Sequence, residues 1–415
     1  MNKVKILFLP SDRFGVGMHR SVMPAVNLDR YYRDLFDVQI EYEPYKHPIE
    51  WFDNFDIVHF SKNIGNTFEQ SSAILDHLKE KGKVAIMDID DYWNLGTFHP
   101  MGKMMQKGEV ARLLVDNLRR ANYVTTTTSI FADKIKQHNP NVYVFPNAAD
   151  LNDPQFISKP TFSNRIRFGI ICGSSHEHDI ELLRGVTNSL EKDVLNKSQF
   201  VLCGFDLKGS MKMRNKETGE ITERPILPTE SVWYRYEKVL TNDYKLVSPE
   251  YKHFLAQFLP NSDWPLVEAE MYRRCWTKDI RTYMTHYNNI DVLLAPLKEC
   301  EFNKMKSNLK TVEAGVMNKG LIAEDYGPYQ IDTINIINKD GSINKEGNCM
   351  LVEPRKNHKQ WAKYITKLVK DPSLIEIMSE NLHKLVMEKY DIKVITDQRK
   401  DFYLDVYQKS KIKNN

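Results

Sequence analysis

The stretch 290–297 reads IDVLLAPL, and the stretch 301–315 that follows it reads EFNKMKSNLKTVEAG. The apolar run predicts a buried strand over Ile290–Ala295, and the pattern after the polar loop predicts a helix that begins near Ser307. Lys304, Lys306 and Lys310 gather at that helix start, where positive charges oppose the helix macrodipole. An anion held between lysine side chains and backbone amides explains the whole cluster. An ordinary amphipathic helix with solvated lysines explains Lys304 well but the cluster poorly.

Short apolar runs and longer helical patterns alternate in both directions from this stretch, as is typical of parallel sheets covered by helices. The predicted fold class is therefore α/β, with two Rossmann-like, doubly wound parallel-sheet domains that face a central cleft. The other predicted strands are Lys5–Leu9, Val38–Tyr42, Ile57–Phe60, Val84–Met87, Tyr123–Thr126, Val142–Phe145, Ile166–Cys172, Phe200–Cys203 and Gly320–Ala323. The predicted helices include Glu69–Lys81, Ala111–Arg120, His178–Leu190, Trp361–Val369, Leu374–Val386 and Val394–Tyr407.

Changes in composition divide the chain into units. Residues 1–150 form the first predicted domain, and the polar segment 151–164, which has no clear period, reads as a linker. Residues 165–393 form the second domain, which contains a charged, glycine-dotted insertion at about 207–260. Residues 394–415 are the C-terminal helical segment.

Overall composition excludes several classes of protein. Of the 415 residues, 41% are hydrophobic and 27% are charged, which excludes a disordered chain, a collagen and a coiled coil. The 58 lysines and arginines nearly balance the 55 aspartates and glutamates, so no nucleic-acid partner is expected. No signal-peptide pattern and no run of roughly 20 apolar residues is present, which favours a cytoplasmic protein. The five scattered cysteines form no CxxC pair and predict reduced, buried thiols without a zinc site.

Three carboxylates, Asp88, Asp90 and Asp91, follow the fourth predicted strand. Carboxylates at the mouth of a parallel sheet are costly unless they are paired, metal-bound or functional. Asp88 and Asp90 form a DxD pattern that can hold a metal and a diphosphate, but its place at the end of a doubly wound strand argues against a metal. We predict that Asp90 or Asp91 contacts an acceptor hydroxyl or acts as a base. A helix N-cap with solvated loop carboxylates is the alternative.

Two strand-to-helix turns, one in each predicted domain, suit an anionic ligand. After the first strand, Gly15 and Gly17 allow close approach to backbone amides, and Arg20 adds a positive charge. Arginine at position 20 leaves the GxGxxG pattern incomplete, which disfavours a dinucleotide fingerprint. After the first strand of the second domain, the turn GSSHEHD at 173–179 offers Ser174 and His176 to a phosphate or a sugar. A tight turn, a capping residue and surface histidines are the alternatives.

Taken together, these motifs resemble those of GT-B glycosyltransferases, in particular the retaining family-4-like group. The similar segments are Phe55–His59, Val144–Asp150 and Phe302–Glu313, together with the turn at 173–179 and the DIDD element at 88–91. A subgroup of bacterial sugar transferases is the most similar. The resemblance covers most of the chain except the insertion.

The resemblance implies a nucleotide-sugar site held mainly by the second domain. Glu313 matches the second glutamate of the EX7E motif, which binds ribose, while Met305 stands where the first glutamate is found. The residues that would face the diphosphate and the sugar are Asn303, Lys306, Ser307, Asn308, Leu309 and Lys310, together with Gly15, Gly17 and Arg20 from the first domain. The C-terminal helix would pack back onto the first domain.

The resemblance also implies the substrates. The donor would be a UDP- or GDP-sugar, and neither a cofactor nor a metal would be required, because lysines, arginines and helix dipoles balance the leaving diphosphate. The acceptor would be a glycan or a lipid-linked saccharide, with peripheral association at the inner face of a membrane. A nucleotide-sugar epimerase and a catalytically inactive sugar-binding scaffold are the alternatives. The aromatic residues Trp233, Tyr234 and Tyr236 favour an acceptor groove, and hence a transferase over an epimerase.

Overall fold

The computed structural model describes residues 3–96, 99, 102, 109–214, 221–355 and 358–413. The first domain is built around one six-stranded parallel sheet with the order β2-β1-β3-β4-β5-β6. Its strands are β1 (Val4–Leu9), β2 (Phe36–Ile40), β3 (Ile57–Ser61), β4 (Val84–Asp88), β5 (Tyr123–Thr126) and β6 (Val142–Val144). Its helices are α1 (Met23–Tyr32), α2 (Phe68–Glu80), α3 (Val110–Arg120) and α4 (Ser129–Ile135).

A second six-stranded parallel sheet, with the order β11-β8-β7-β12-β13-β14, forms the core of the second domain. Its strands are β7 (Ile166–Ile171), β8 (Ser198–Phe205), β11 (Tyr272–Trp276), β12 (Val292–Ala295), β13 (Gly320–Glu324) and β14 (Met350–Val352). The helices are α5 (Glu177–Ile180), α6 (Lys192–Asn196), α7 (Val232–Thr241), α8 (Pro249–Leu255), α9 (Glu301–Lys304), α10 (Leu309–Val316), α11 (His358–Lys370) and α12 (Ser373–Lys389). The predicted α/β class with two parallel sheets is confirmed.

Each sheet has one point where the strand order reverses. It lies between β1 and β3 in the first sheet and between β7 and β12 in the second. Such a point opens a crevice beyond the carboxyl ends of the strands, because the flanking connections leave in opposite directions. The loops that follow these strands carry most of the predicted site residues.

The helix predicted over His178–Leu190 is wrong beyond its first turn. Helix α5 ends at Ile180, and 3-10 turns follow it. Gly185 interrupts the segment because its φ of +94° lies in the left-handed region, and a Cβ atom there would lie 3.0 Å from the His358 ring. The apolar residues of this segment are still buried, so their spacing resembled that of a helix.

The segment predicted as an insertion begins with an antiparallel hairpin of β9 (Ser210–Arg214) and β10 (Ile221–Pro225), and residues 215–220 lie outside the described part of the chain. Helix α7 follows and packs against β8. Trp233 and Tyr236 on α7 are only 7% and 1% exposed and belong to the core of the second domain. They do not line a groove, so the argument from these two residues for an acceptor groove is wrong.

The C-terminal end of the chain crosses back to the first domain. The Ala149 N–H donates to the Tyr390 carbonyl and the Ile392 N–H donates to the Ala149 carbonyl, both at 2.9 Å. Helix α13 (Ile392–Lys413) then packs against α1, and Tyr403 is fully buried in the same apolar cluster as Phe8. Residues 414 and 415 of the predicted segment lie outside the described range. No helix in the described part of the chain is long and apolar enough to cross a bilayer.

Candidate functional site

Glu313 on α10 is a buried carboxylate with three side-chain hydrogen bonds, at the cleft between the two sheets. It is 1% exposed and accepts hydrogen bonds from Tyr283 Oη at 2.8 Å, Tyr287 Oη at 2.7 Å and Lys310 Nζ at 2.6 Å. Burial opposes ionisation, but the Lys310 charge and the three donors outweigh it and lower the pKa of Glu313. Glu313 is therefore an anion at neutral pH.

His19 joins this cluster from the first domain. It lies in the π-helical turn Met18–Val22, and its Nε2 is 3.1 Å from Tyr283 Oη. Because Tyr283 donates its proton to ionised Glu313, His19 Nε2 must be the donor to the tyrosine oxygen. Burial lowers the pKa of His19, so the ring is neutral and Nδ1 is an acceptor. Nδ1 is buried and has no partner among the described residues, which suits it to a hydroxyl of a ligand.

Arg20 occupies a different place from the predicted one. Instead of facing a diphosphate, it is 1% exposed, and its Nε and Nη2 donate to the Asp88 carboxylate at 3.0 and 2.8 Å. Its Nη1 donates to the Phe145 carbonyl at 2.7 Å and to Asn147 Oδ1 at 3.1 Å. Burial works against the charge of Asp88, but Arg20 lowers the pKa of this carboxyl. Arg20 therefore ties the end of β4 to the end of the first domain.

The glycine turn after β1 binds a carboxylate of its own. Asp12 Oδ1 accepts hydrogen bonds from the Phe14 N–H at 2.8 Å and the Gly17 N–H at 3.1 Å. A Cβ atom at position 17 would lie 1.9 Å from the Asp12 carbonyl oxygen, so only glycine fits there. The Gly17 amide is thus occupied in this structure instead of facing a diphosphate, whereas Gly15 lies half-buried beside Ile280 of the second domain.

Asp90 and Asp91 follow β4 and share one lysine. Lys62 Nζ lies 2.8 Å from Asp90 Oδ1 and 3.8 Å from Asp91 Oδ2. Burial, followed by the Asp90 charge, raises the pKa of Asp91. Burial of Lys62 works in the opposite direction, but the two carboxylates outweigh it and raise the pKa of Lys62. Asp90 is therefore held in an ion pair with Lys62, whereas Asp91 has a raised pKa.

Lys306 faces these carboxylates from the second domain. Its charge acts on Asp91 across the cleft and on His176 beside it. The side chain is half-buried, and its Nζ lies 5.3 Å from the centre of the Phe302 ring. Within the described residues, no carboxylate lies within ion-pair distance of Lys306. A half-buried cation without a counter-ion in a cleft is suited to an anionic ligand.

The turn at 173–179 forms a second wall of the cleft. His176 Nδ1 lies 2.8 Å from Asp179 Oδ2, and Asp179 Oδ1 accepts from Asn303 Nδ2 at 2.9 Å. Asn303 is buried, and its amide positions this turn while its side chain also lines the small cavity beside Lys306. Ser174 is exposed, and its carbonyl accepts a hydrogen bond from Tyr236 Oη at 3.0 Å. The buried tyrosine of α7 therefore supports the turn from below.

In the loop between α9 and α10, some of the predicted ligand contacts already form hydrogen bonds within the protein. Asn308 is 1% exposed and donates to Tyr390 Oη at 2.7 Å, so it serves the chain crossing and not the predicted ligand contact. Ser307 Oγ accepts from Asn147 Nδ2 of the first domain at 3.3 Å. Leu309 is half-buried at the start of α10. Met305 packs in an apolar cluster of the first domain.

In this conformation the two domains are in direct contact over the cleft. Lys134 Nζ of the first domain lies 2.9 Å from Glu301 Oε1 of the second. The cavity beside Lys306, lined by His99, Ser175 and Asn303 among others, has a volume of about 30 Å³. That volume is of the order of one water molecule, whereas ligand pockets measure roughly 300–1,000 Å³. The cavity beside Lys306 is therefore too small for a nucleotide sugar in this conformation.

Sequence reasoning missed four residues that organise this site: His19, Lys62, Tyr283 and Tyr287. Lys62 directly follows β3, so its position at a strand end could have identified it. His19 precedes Arg20 in the same turn, and nothing in the sequence distinguishes which of the two is buried in the domain. The two tyrosines lie on the turn Tyr283–Asn289 and gain their role only from the tertiary contact with Glu313.

No model of a protein family matches this chain, and no curated protein matches it in sequence. Solved structures do match it. HepE from Anabaena in complex with UDP-glucose aligns over 97% of this chain and 99% of its own, with a TM-score of 0.59 at 12% identity. The catalytic domain of starch synthase IV from Arabidopsis thaliana, bound to ADP and acarbose, aligns over 98% of this chain and 99% of its own, with a TM-score of 0.56 at 11% identity.

The trehalose 6-phosphate synthase of Burkholderia multivorans aligns over the full length of both chains, with a TM-score of 0.51 at 8% identity. These neighbours are GT-B glycosyltransferases. The chain has the GT-B fold. The predicted fold is thereby confirmed, and at such low identities the likeness concerns the fold alone.

Proposed function

We propose that this chain is a glycosyltransferase that moves a sugar from a nucleoside-diphosphate sugar to a hydroxyl of a glycan or a lipid-linked saccharide. The observation that carries the proposal is Lys306, which has no carboxylate within ion-pair distance among the described residues and whose charge acts on Asp91 of the other domain. The Lys310–Glu313 ion pair follows on the same segment of the second domain. A bound diphosphate would pair with a cation such as Lys306, and the hydroxyl groups of a ribose would donate hydrogen bonds to an anion such as Glu313. UDP-sugars are the first donors to test, since the HepE neighbour is a complex with UDP-glucose.

The proposed reaction breaks the bond between the anomeric carbon and the diphosphate oxygen and forms a bond from that carbon to the acceptor oxygen. The leaving diphosphate gains negative charge, which Lys306 and Lys310 balance. The acceptor hydroxyl gives its proton to Asp91, because the raised pKa of this carboxyl suits a proton acceptor. Asp90, held by Lys62 at 2.8 Å, orients the hydroxyl.

We further propose that transfer retains the anomeric configuration and needs no metal at the diphosphate. Retention follows from the resemblance of the Phe302–Glu313 segment to the family-4-like group. Metal independence follows from the two lysines, which already supply positive charge where the leaving group would be. Added Mg²⁺ or Mn²⁺ is expected to leave the rate of transfer unchanged, and NMR of the product would report its anomeric configuration.

The first test is a calorimetric titration of the purified chain with UDP, GDP, ADP and CMP, followed by the matching nucleotide sugars. We expect one nucleoside diphosphate to bind selectively and Lys306→Gln to weaken its binding at least about tenfold, which is about 1.4 kcal/mol. Lys304→Gln is the matched control, because Lys304 lies two residues away in the same segment but is exposed. Binding of none of the nucleotides, or equal binding by both variants, would contradict the proposal.

A further inference from the structure

Two cysteines and a histidine outside the proposed reaction lie together behind the donor side of the second domain. Cys203 on β8 and Cys275 on β11 are directly paired in register on adjacent parallel strands. His286 comes from the turn Tyr283–Asn289. One sulfur atom from each cysteine and one ring nitrogen of His286 all lie within 4.8 Å of one another.

Burial makes this group unusual. Cys203 is fully buried, His286 is 2% exposed and Cys275 is partly exposed. Neither ring nitrogen of His286 has a hydrogen-bond partner of acceptable geometry among the described residues. Leaving a buried polar group unpaired costs about 1–3 kcal/mol. The polar groups beside this imidazole are the two thiols, and one metal ion could bind all three side chains.

The donor set matches the preference of one class of ion. Thiolates and imidazole are the ligands of structural and catalytic zinc, with Zn–S near 2.3 Å and Zn–N near 2.0–2.1 Å, which places ligand atoms about 3.5–3.8 Å apart in a tetrahedron. The observed spread of up to 4.8 Å needs a contraction of about 1 Å. Two thiolates also neutralise a divalent ion, so the complex can remain in the interior.

We propose that Cys203, Cys275 and His286 bind one thiophilic divalent cation, zinc in the first instance. The site joins β8, β11 and the turn Tyr283–Asn289. Tyr283 and Tyr287 on that same turn donate to Glu313, so the metal would fix the turn that holds the glutamate. Its role would be positioning, because none of the three ligands belongs to the residues of the proposed reaction. The three ligands lie on three separate elements, so the spacing of the cysteines along the sequence does not indicate a metal site.

The test uses the full-length chain, reduced, treated with a chelator and then titrated with ZnCl₂ in a calorimeter and with CoCl₂ in a spectrophotometer. We expect one zinc ion per chain with a dissociation constant below about 1 μM, and thiolate-to-cobalt charge-transfer absorption. Cys203→Ser, Cys275→Ser and His286→Asn should each weaken binding at least about tenfold. Cys349→Ser is the matched control, since it removes a buried thiol far from this group.

Several results would overturn the proposal. These are no saturable zinc binding by the wild-type chain, binding unchanged in all three ligand variants, or a Cys203–Cys275 disulfide that persists in reducing buffer. Should the variants not fold, hydrogen exchange of the wild-type chain decides: zinc must slow amide exchange in residues 272–289, and unchanged exchange there refutes the site. Each of these measurements is independent of whether the chain binds nucleotides, so the site and the proposed transferase activity can fail separately.

Discussion

Among single residues, neighbouring lysines of one segment have very different surroundings. Lys304 is exposed, Lys306 is half-buried and has no counter-ion in the part of the chain that the structure describes, and Lys310 is paired with Glu313 at 2.6 Å. Lys306 is therefore available to bind a diphosphate, whereas Lys310 would be shared between the diphosphate and the Glu313 carboxylate. Because Glu313 is ionised, it holds Lys310 in position and offers acceptor oxygens to hydroxyl groups.

Glu313→Gln separates these two roles. Glutamine loses the charge that a ribose hydroxyl would donate to and releases Lys310 from its ion pair, whereas Lys306 is not in contact with Glu313. We expect the affinity for the selected nucleoside diphosphate to fall about tenfold, which is about 1.4 kcal/mol, while the affinity for inorganic pyrophosphate, which has no ribose, is unchanged or increased. Lys306→Gln should weaken both ligands. Calorimetry with the two ligands measures this, and Glu376→Gln on the exposed face of α12 is the control.

Equal losses for nucleotide and pyrophosphate in Glu313→Gln would contradict the assignment of Glu313 to the ribose. They would indicate instead that the substitution disturbs Lys310 or the turn Tyr283–Asn289. Far-UV circular dichroism and the thermal midpoint of the variant would show whether the fold itself has changed.

For strands and helices, the sequence was informative wherever the pattern was local. Strands β1, β3, β4, β5 and β7 were predicted within one or two residues, because central parallel strands read as continuous apolar runs. Strand β11 was missed since it reads YRRCW. Arg274 on this strand is buried and donates hydrogen bonds to the Glu237 carboxylate of α7 at 2.9 and 2.7 Å. The strand therefore reads as polar in the sequence, although its charge is neutralised by a residue of α7.

The candidate site likewise contains residues that local sequence patterns identify and residues whose role depends on tertiary contacts. Strand ends identified Asp90, Asp91 and the lysine segment, because the carboxyl ends of parallel strands meet at one edge. The sequence could not show that Arg20 would pair with Asp88, since that partner lies 68 positions away and competes with any ligand. Composition likewise favoured the aromatic residues of α7 as a binding surface, whereas their helical spacing places Trp233 and Tyr236 in the core.

The docking of α13 on the first domain depends on a neutral histidine. His59 on β3 is buried, with Nδ1 at 2.7 Å from Tyr403 Oη of α13 and Nε2 at 3.1 Å from Thr125 Oγ1. Burial lowers the pKa of His59 to about 3, against about 6.5 in an unfolded chain. Between these values the unfolded state binds the proton and the folded state does not, so stability is lost as the pH falls below about 6.5.

His59→Gln should therefore flatten the pH dependence of unfolding. We expect the free energy of unfolding of the wild-type chain to decline between pH 7 and pH 5 by up to about 1.4 kcal/mol per pH unit from this residue alone. Urea titrations at several pH values, followed by tryptophan fluorescence, measure the slope. His253→Gln on the exposed face of α8 should retain the wild-type slope, and an unchanged slope in His59→Gln would be inconsistent with a neutral buried ring.

For the whole molecule, the contacts between the two domains restrict how a ligand enters the cleft. Phe302 and Met305 of the second domain pack in the apolar cluster of the first, and His19 reaches across to Tyr283. With about 30 Å³ of free volume beside Lys306, a nucleotide sugar reaches that lysine only if the surrounding contacts rearrange. Closure over a bound donor excludes water and limits hydrolysis of the donor. The strength of the interdomain contacts therefore tunes the balance between open and closed states.

The Lys134–Glu301 pair offers a direct test of that balance, because it joins the domains at 2.9 Å and lies outside the proposed machinery. Lys134→Glu places two carboxylates against each other and should favour the open state, raising the radius of gyration in small-angle X-ray scattering and lowering sugar transfer up to about fivefold. Glu301→Lys should do the same. The double reversal restores opposite charges and should recover both values, since the pair and not either residue carries the effect. Single reversals that leave the radius of gyration unchanged, or a double variant no better than its parents, would mean that the other interdomain contacts, such as those of Phe302 and Met305, hold the domains together without this ion pair.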